Sequence, residues 1–204
     1  MSPDSSLKPD PPVARPFPEE GFIMPRARVS YILILLVFAV ATLGAQPLDL
    51  TQRYLLLATA RTTTMQHELN EAAAAGYRVL GGAHQTGDEG DGQLMVLLEK
   101  VARPPEVYRY QLLATQLTST MQRELDQFAS QAFRLLPGSM IGGRGELVLL
   151  LEKAPGASAT FDYRLLATNR TGTLQKELSD AAGKGYQVVG MISRNENIVI
   201  LEKR

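Results

Sequence analysis

The sequence predicts an α+β fold: three βαββ repeats packed into one compact quasi-threefold domain, with helices outside and sheets inward. Residues 54–69, 110–125 and 163–178 align without a gap, reading YLLLATARTTTMQHEL, YQLLATQLTSTMQREL and YRLLATNRTGTLQKEL, with ten of sixteen positions identical in all three. Their starts are 56 and 53 residues apart, close to the periods of repeat architectures. Each copy also closes alike, with MVLLEK (95–100), VLLLEK (148–153) and IVILEK (198–203).

The chain begins differently. Residues 1–23 hold six of the twelve prolines and no apolar period, which predicts a disordered leader. From Met24, Arg26 and Arg28 form a positive flank, Tyr31 to Leu43 a short apolar core, and Gly44-Ala45 a small-residue exit before Pro47. That pattern predicts a secretory signal over residues 24–45, cleaved after Ala45 or Ala41, with Met24 as an alternative start. The competing reading is an uncleaved anchor over residues 29–48. The expected location is therefore periplasmic or secreted, or membrane-anchored through that segment alone.

The repeats follow at 53–100, 109–153 and 162–204. In each, Tyr54–Thr59 or its counterpart is a first strand, with Tyr54, Leu56 and Ala58 on one face, as are Tyr110, Leu112, Ala114 and Tyr163, Leu165, Ala167. Thr63, Ser119 and Gly172 are expected as helix N-caps, with Gln66 and Gln122 completing capping boxes. Met65, Leu69, Ala72 and Ala73 then give one apolar stripe, repeated by Met121, Leu125, Phe128, Ala129 and by Leu174, Leu178, Ala181, Ala182. Gly76 and Gly185 fit a left-handed helix end, with Tyr77 and Tyr186 as the apolar partner of the cap. The middle copy has Ala132-Phe133 instead, so a different helix end is expected there.

A second strand is expected at Tyr77–Leu80, Phe133–Leu136 and Tyr186–Val189. The closing strand is apolar on both faces, and so should be central and covered on both sides. A unit of about 45 residues is too small to hide it alone, so the copies must pack together. The short linkers Val101–Val107 and Ala154–Phe161 keep them adjacent. A nine-stranded open sheet is the alternative.

Composition excludes several functions. With no Cys there is no disulfide, thiolate nucleophile or thiolate-ligated metal. With 21 basic and 21 acidic residues there is no electrostatic case for nucleic acid. No nucleophile elbow, HExxH or dinucleotide fingerprint occurs.

The richest polar pattern is the strand-to-helix turn: Thr59, Thr62, Thr64; Thr115, Thr118, Thr120; and Thr168, Thr171, Thr173. Hydroxyls beside free helix N–H groups could hold an anion or carboxylate, although turn and helix capping account for the same residues. Glu68, Glu124 and Glu177 flank the apolar stripe, where a solvated charge is expected. Glu99, Glu152 and Glu202 are expected to finish a strand and guard an edge. The acidic loop at 87–92 lacks the calcium-loop pattern, and His67 and His84 have no partner ligands within their copies.

The helix end followed by Gly, an aromatic and aliphatics (ELNEAAAAGYRVL, 68–80), with a Tyr-led first strand and an aliphatic strand ending Glu-Lys, resembles the small bacterial family called domain of unknown function 4177. The resemblance covers nearly all of residues 53–204 and implies a small α+β fold with no assigned activity.

No catalytic residue, cofactor or metal is expected. The function expected is an exported, non-catalytic repeat protein acting by binding or assembly on an unknown protein or small ligand. A small-ligand carrier or enzyme with its site at a repeat junction is the alternative.

Overall fold

Each of the three similar stretches folds into its own antiparallel sheet. The computed structural model describes residues 48–86, 92–101, 107–143 and 145–204. The signal or anchor segment and the loop at 87–91 lie outside these residues.

The elements follow the order β1 (Tyr54–Thr59), α1 (Thr62–Ala74), β2 (Tyr77–Gln85), β3 (Leu94–Lys100), β4 (Arg109–Thr115), α2 (Thr118–Ala129), β5 (Arg134–Leu135), β6 (Ile141–Gly143), β7 (Glu146–Lys153), β8 (Asp162–Thr168), α3 (Thr171–Gly183), β9 (Gln187–Ser193) and β10 (Asn197–Lys203). The sheets are ordered β1-β3-β2, β4-β7-β5 with β6 also on β7, and β8-β10-β9. The closing strand is central in all three, as its two-sided apolar pattern requires. Register is also shared, with Tyr54 opposite Glu99, Tyr110 opposite Glu152 and Tyr163 opposite Glu202.

Among the described residues the fold is thus α+β, with three helices and three antiparallel sheets. Its layering differs from helices outside and sheets inward. Leu55, Leu57 and Val96 of the first sheet and Tyr110, Leu112, Val148 and Leu150 of the second close on Met65, Leu69 and Ala73 of α1. The other face of the second sheet (Leu113, Leu147, Leu149, Leu151) joins Tyr163, Ile198 and Ile200 of the third around α2. Among the described residues, Leu166, Val199 and Leu201 hold α3 from one side. Sheet and helix therefore alternate: the second and third sheets carry a helix on each face, one from their own stretch and one from the stretch before, while one face of the first sheet stays exposed at Tyr54, Leu56 and Leu97.

The helix starts depart from the expected capping boxes. The N-cap positions are Arg61, Leu117 and Arg170, without a side-chain cap bond. The hydroxyls of Thr59, Thr115 and Thr168 accept the backbone N–H two residues on instead, at 3.2, 3.3 and 3.2 Å. At the helix ends Gly76 and Gly185 are left-handed, with φ of 88° and 87°. The middle helix ends the same way: Ala132 takes φ 67° and Phe133 N–H bonds Phe128 O at 3.0 Å. Ala132 is buried, so packing holds a conformation that Ala disfavours by about 1 kcal/mol.

The second strand of each stretch is interrupted. Register shifts between Val79 and Ala83 and opposite Ile200/Leu201, and the middle stretch breaks into β5 and β6. A Cβ on Gly82 would meet Gly138 O at 2.1 Å, so the bulge lets neighbouring sheets approach backbone to backbone.

Candidate functional site

The side chains most often repeated in the sequence converge where one sheet meets the next. At the first junction the Tyr110 hydroxyl, two per cent exposed at the residue level, accepts Val79 N–H at 2.9 Å and donates to Glu152 Oε2 at 2.9 Å. Arg78 grips the same carboxylate side-on, Nε to Oε2 at 3.1 Å and Nη2 to Oε1 at 2.9 Å. Its guanidinium lies 4.6 Å from the Tyr108 ring centroid. The second junction repeats this. Tyr163 accepts Leu135 N–H at 2.8 Å and donates to Glu202 Oε2 at 2.9 Å, while Arg134 reaches Glu202 from Nε and from Nη2 at 2.8 Å and faces Phe161.

Glutamines complete each junction. Gln66 of α1 donates to Tyr110 O at 2.9 Å and accepts Leu112 N–H at 2.6 Å. Gln122 of α2 does the same to Tyr163 O at 2.8 Å and Leu165 N–H at 2.6 Å. A side-chain amide thus imitates a neighbouring strand and seals the outer edge of β4 and of β8. This replaces the capping-box role expected of Gln66 and Gln122.

The electrostatics follow from burial. Desolvation pushes the Tyr110 and Tyr163 hydroxyls well above the ordinary tyrosine value, against the lowering effect of the Val79 and Leu135 amides. Each phenol remains a proton donor to its glutamate and is no base. Hydrogen bonds to Glu152 and Glu202 raise Arg78 and Arg134. The residues therefore form fixed charge-assisted joints rather than an acid–base pair.

Glu152 and Glu202, expected to guard an edge, instead lie on central strands and are buried. Glu68, expected to be solvated, is also buried, and desolvation raises its carboxyl above 4.5 with a further push from Glu71. The shared Tyr–Glu register and the Arg at 78 and 134 are a sequence signal for these joints.

The threonine set is not gathered into one place. Thr59, Thr115 and Thr168 close turns, and Thr62, Thr118 and Thr171 are the first helical residues. Thr64 and Thr120 are half-buried one turn in, and Thr173 is exposed. Thr62 and Thr63 line a cavity of about 320 Å³ with Arg61, Gln85, Glu146 and Val148. A second cavity of about 320 Å³ lies beside the paired Arg78 and Arg134, walled by Leu135, Leu136 and Phe161.

Among the described residues, no group of three or more His, Asp or Glu is placed to hold a metal ion, and no helix is long and apolar enough to cross a membrane. Comparison with protein-family models, curated proteins and solved structures finds no match to the chain.

Proposed function

We propose that the chain is an exported, non-catalytic protein built of three stacked copies of one βαββ unit, related to the family of unknown function 4177, and that it works by binding or assembly. The observation that carries this reading is where the repeated polar residues go. Tyr110, Tyr163, Gln66, Gln122, Glu152 and Glu202 are consumed in joining one unit to the next. An enzyme keeps titratable groups poised toward a cleft, whereas these groups are paired and turned inward. The positive flank, short apolar core and Gly44-Ala45 exit support export, and capture on a membrane through residues 29–48 is the alternative.

The test is fractionation of cells producing the full chain, with mass spectrometry of its N-terminus. A periplasmic or secreted product beginning at Gln46 or Thr42 supports a cleaved signal. A membrane-bound product retaining residues 29–48 supports the anchor, and a cytoplasmic product overturns export.

The junction cavities favour a second reading, a small-ligand carrier. Thr62 and Thr63, with Arg61 beside them, could receive a carboxylate or other anion at the first cavity. Thermal shift against a panel of small anions and carboxylic acids checks this, with Arg61→Ala abolishing any shift.

A further inference from the structure

The two ends of the stack are complementary halves of a joint the chain makes twice within itself. At the front end stands the third unit. Its Val188 and Met191 are 57% and 60% exposed, while Val79 and Ala83 at the matching positions of the first unit are 6% and 3% exposed. Among the described residues the side-chain amide of Gln175, counterpart of Gln66 and Gln122, clamps no strand and meets Ser179 Oγ at 3.5 Å. Ala182 is exposed where Ala73 and Ala129 are buried. At the back end Tyr54 and Leu56 are 50% and 57% exposed, while Tyr110 and Leu112 are 2% and 8% exposed. Glu99, counterpart of Glu152 and Glu202, is held by Arg53 of its own unit at 2.8 Å.

We infer that the chain assembles head to tail with further copies of itself, the third unit of one docking on the first sheet of the next. The inference rests on the binding-or-assembly reading and names its partner. Gln175 clamps Tyr54 O and Leu56 N–H of the neighbour. The neighbour's Tyr54 hydroxyl accepts Val188 N–H, and its first-sheet face covers α3, Val188 and Met191. Gln187 stands where Arg78 and Arg134 stand, so the joint to Glu99 is an amide hydrogen bond rather than an ion pair. The contact between chains is accordingly weaker and more reversible than the joints within one. Different surfaces meet, so the assembly is heterologous and extends as a filament unless its rotation closes it.

The test exploits the absence of Cys. Gln52 and Gln187 match Tyr108 and Arg78, whose ring and guanidinium lie 4.6 Å apart at the first junction. Differently tagged full-length Gln52→Cys and Gln187→Cys chains are co-expressed and treated with a short bis-maleimide. The expected result is a mixed dimer from the pair, little product from either alone, and a ladder of trimers and higher forms from the double variant. Adding Val188→Asp, on an exposed position, should cut the products at least tenfold.

Equal cross-linking by Gln52→Cys alone, or products that survive Val188→Asp, would overturn the inference. So would a Gln52→Cys monomer whose thiol is blocked to single maleimides, because the chain's own N-terminal segment would then cover the face. If no copies cross-link while Val188→Asp releases a different bound protein, self-assembly falls and the binding reading stands. If the exported chain neither cross-links nor retains any partner, both fall.

Discussion

Tyr110 and Tyr54 begin six-residue segments that differ at one position, pair in the same register with a glutamate, and have opposite surroundings. Tyr110 is shut between a helix and two sheets with both hydrogen-bonding roles of its hydroxyl filled. Tyr54 stands half in solvent with Arg53 across its ring at 5.0 Å. The second and third stretches show the same contrast at the opposite face, where Leu135 is closed and Val188 is open. What a residue does in this chain is therefore set by whether another unit stands before or behind its own. The motif recurs in all three stretches, and among the described residues its joining contacts are made at the two inner junctions.

The largest effect that separates inner from outer positions is expected at the glutamates. Glu152→Ala or Glu202→Ala strips the carboxylate from a buried tyrosine and a side-on arginine, and should cost about 2–4 kcal/mol. Half-exposed arginines can turn to water, which keeps the figure below that of a fully buried pair. Glu99→Ala removes an exposed pair and should stay within about 0.5 kcal/mol. Chemical denaturation measures all three, and equal losses would break the comparison.

The tyrosines give the next effect. Tyr110→Phe and Tyr163→Phe leave the Val79 or Leu135 N–H buried without its acceptor, a loss of about 1–3 kcal/mol. Tyr54→Phe should lie within about 0.5 kcal/mol of the parent, as surface changes do. A Tyr54→Phe loss as large as the others at high protein concentration, absent on dilution, would sharpen the comparison by placing Tyr54 in a contact between chains.

Gln66→Ala and Gln122→Ala come third, at about 1 kcal/mol each, because two hydrogen bonds to a strand edge pass to water. Amide hydrogen exchange should report the same event locally, with Leu112 and Leu165 N–H exchanging faster in the respective variants. Gln175→Ala should change neither stability nor exchange in the monomer. A stability loss there comparable to Gln122→Ala would mean that Gln175 has a strand to hold.

Much of this fold is legible in the residues, and the reasons differ from element to element. The helix ends at Gly76 and Gly185 can be read because a left-handed residue before an aromatic has few alternatives. The central place of MVLLEK, VLLLEK and IVILEK follows from apolar residues on both faces. Gln66 reads as a cap, wrongly, because a Gln three residues into a helix serves either a cap or a neighbouring strand, and only packing decides which. Glu152 reads as exposed because a terminal Glu-Lys on a strand ordinarily is, and its burial depends on Tyr110 and Arg78, 42 and 74 residues away. The alternation of sheet and helix is hidden for a related reason. A two-sided strand asks for cover on both faces without naming the helix that gives it, and one face of the first sheet stays open at Leu56 and Leu97.

The smallest effect concerns Glu68, which the first unit buries while Glu124 and Glu177 remain half-exposed. Desolvation raises its carboxyl in the folded protein above 4.5, so folding favours the protonated form. Stability is fullest where the group is protonated in both states, and it falls as pH rises through the folded value. Glu68→Gln carries no charge to desolvate, and at neutral pH it should raise Tm by about 1–2 °C. The gain should fade as pH drops through the ordinary carboxylate range and vanish below it. If instead Glu68→Gln lowers Tm at neutral pH, the carboxylate of Glu68 is held by a partner at the first junction, and the first unit differs from the other two in its joint as well as its exposure.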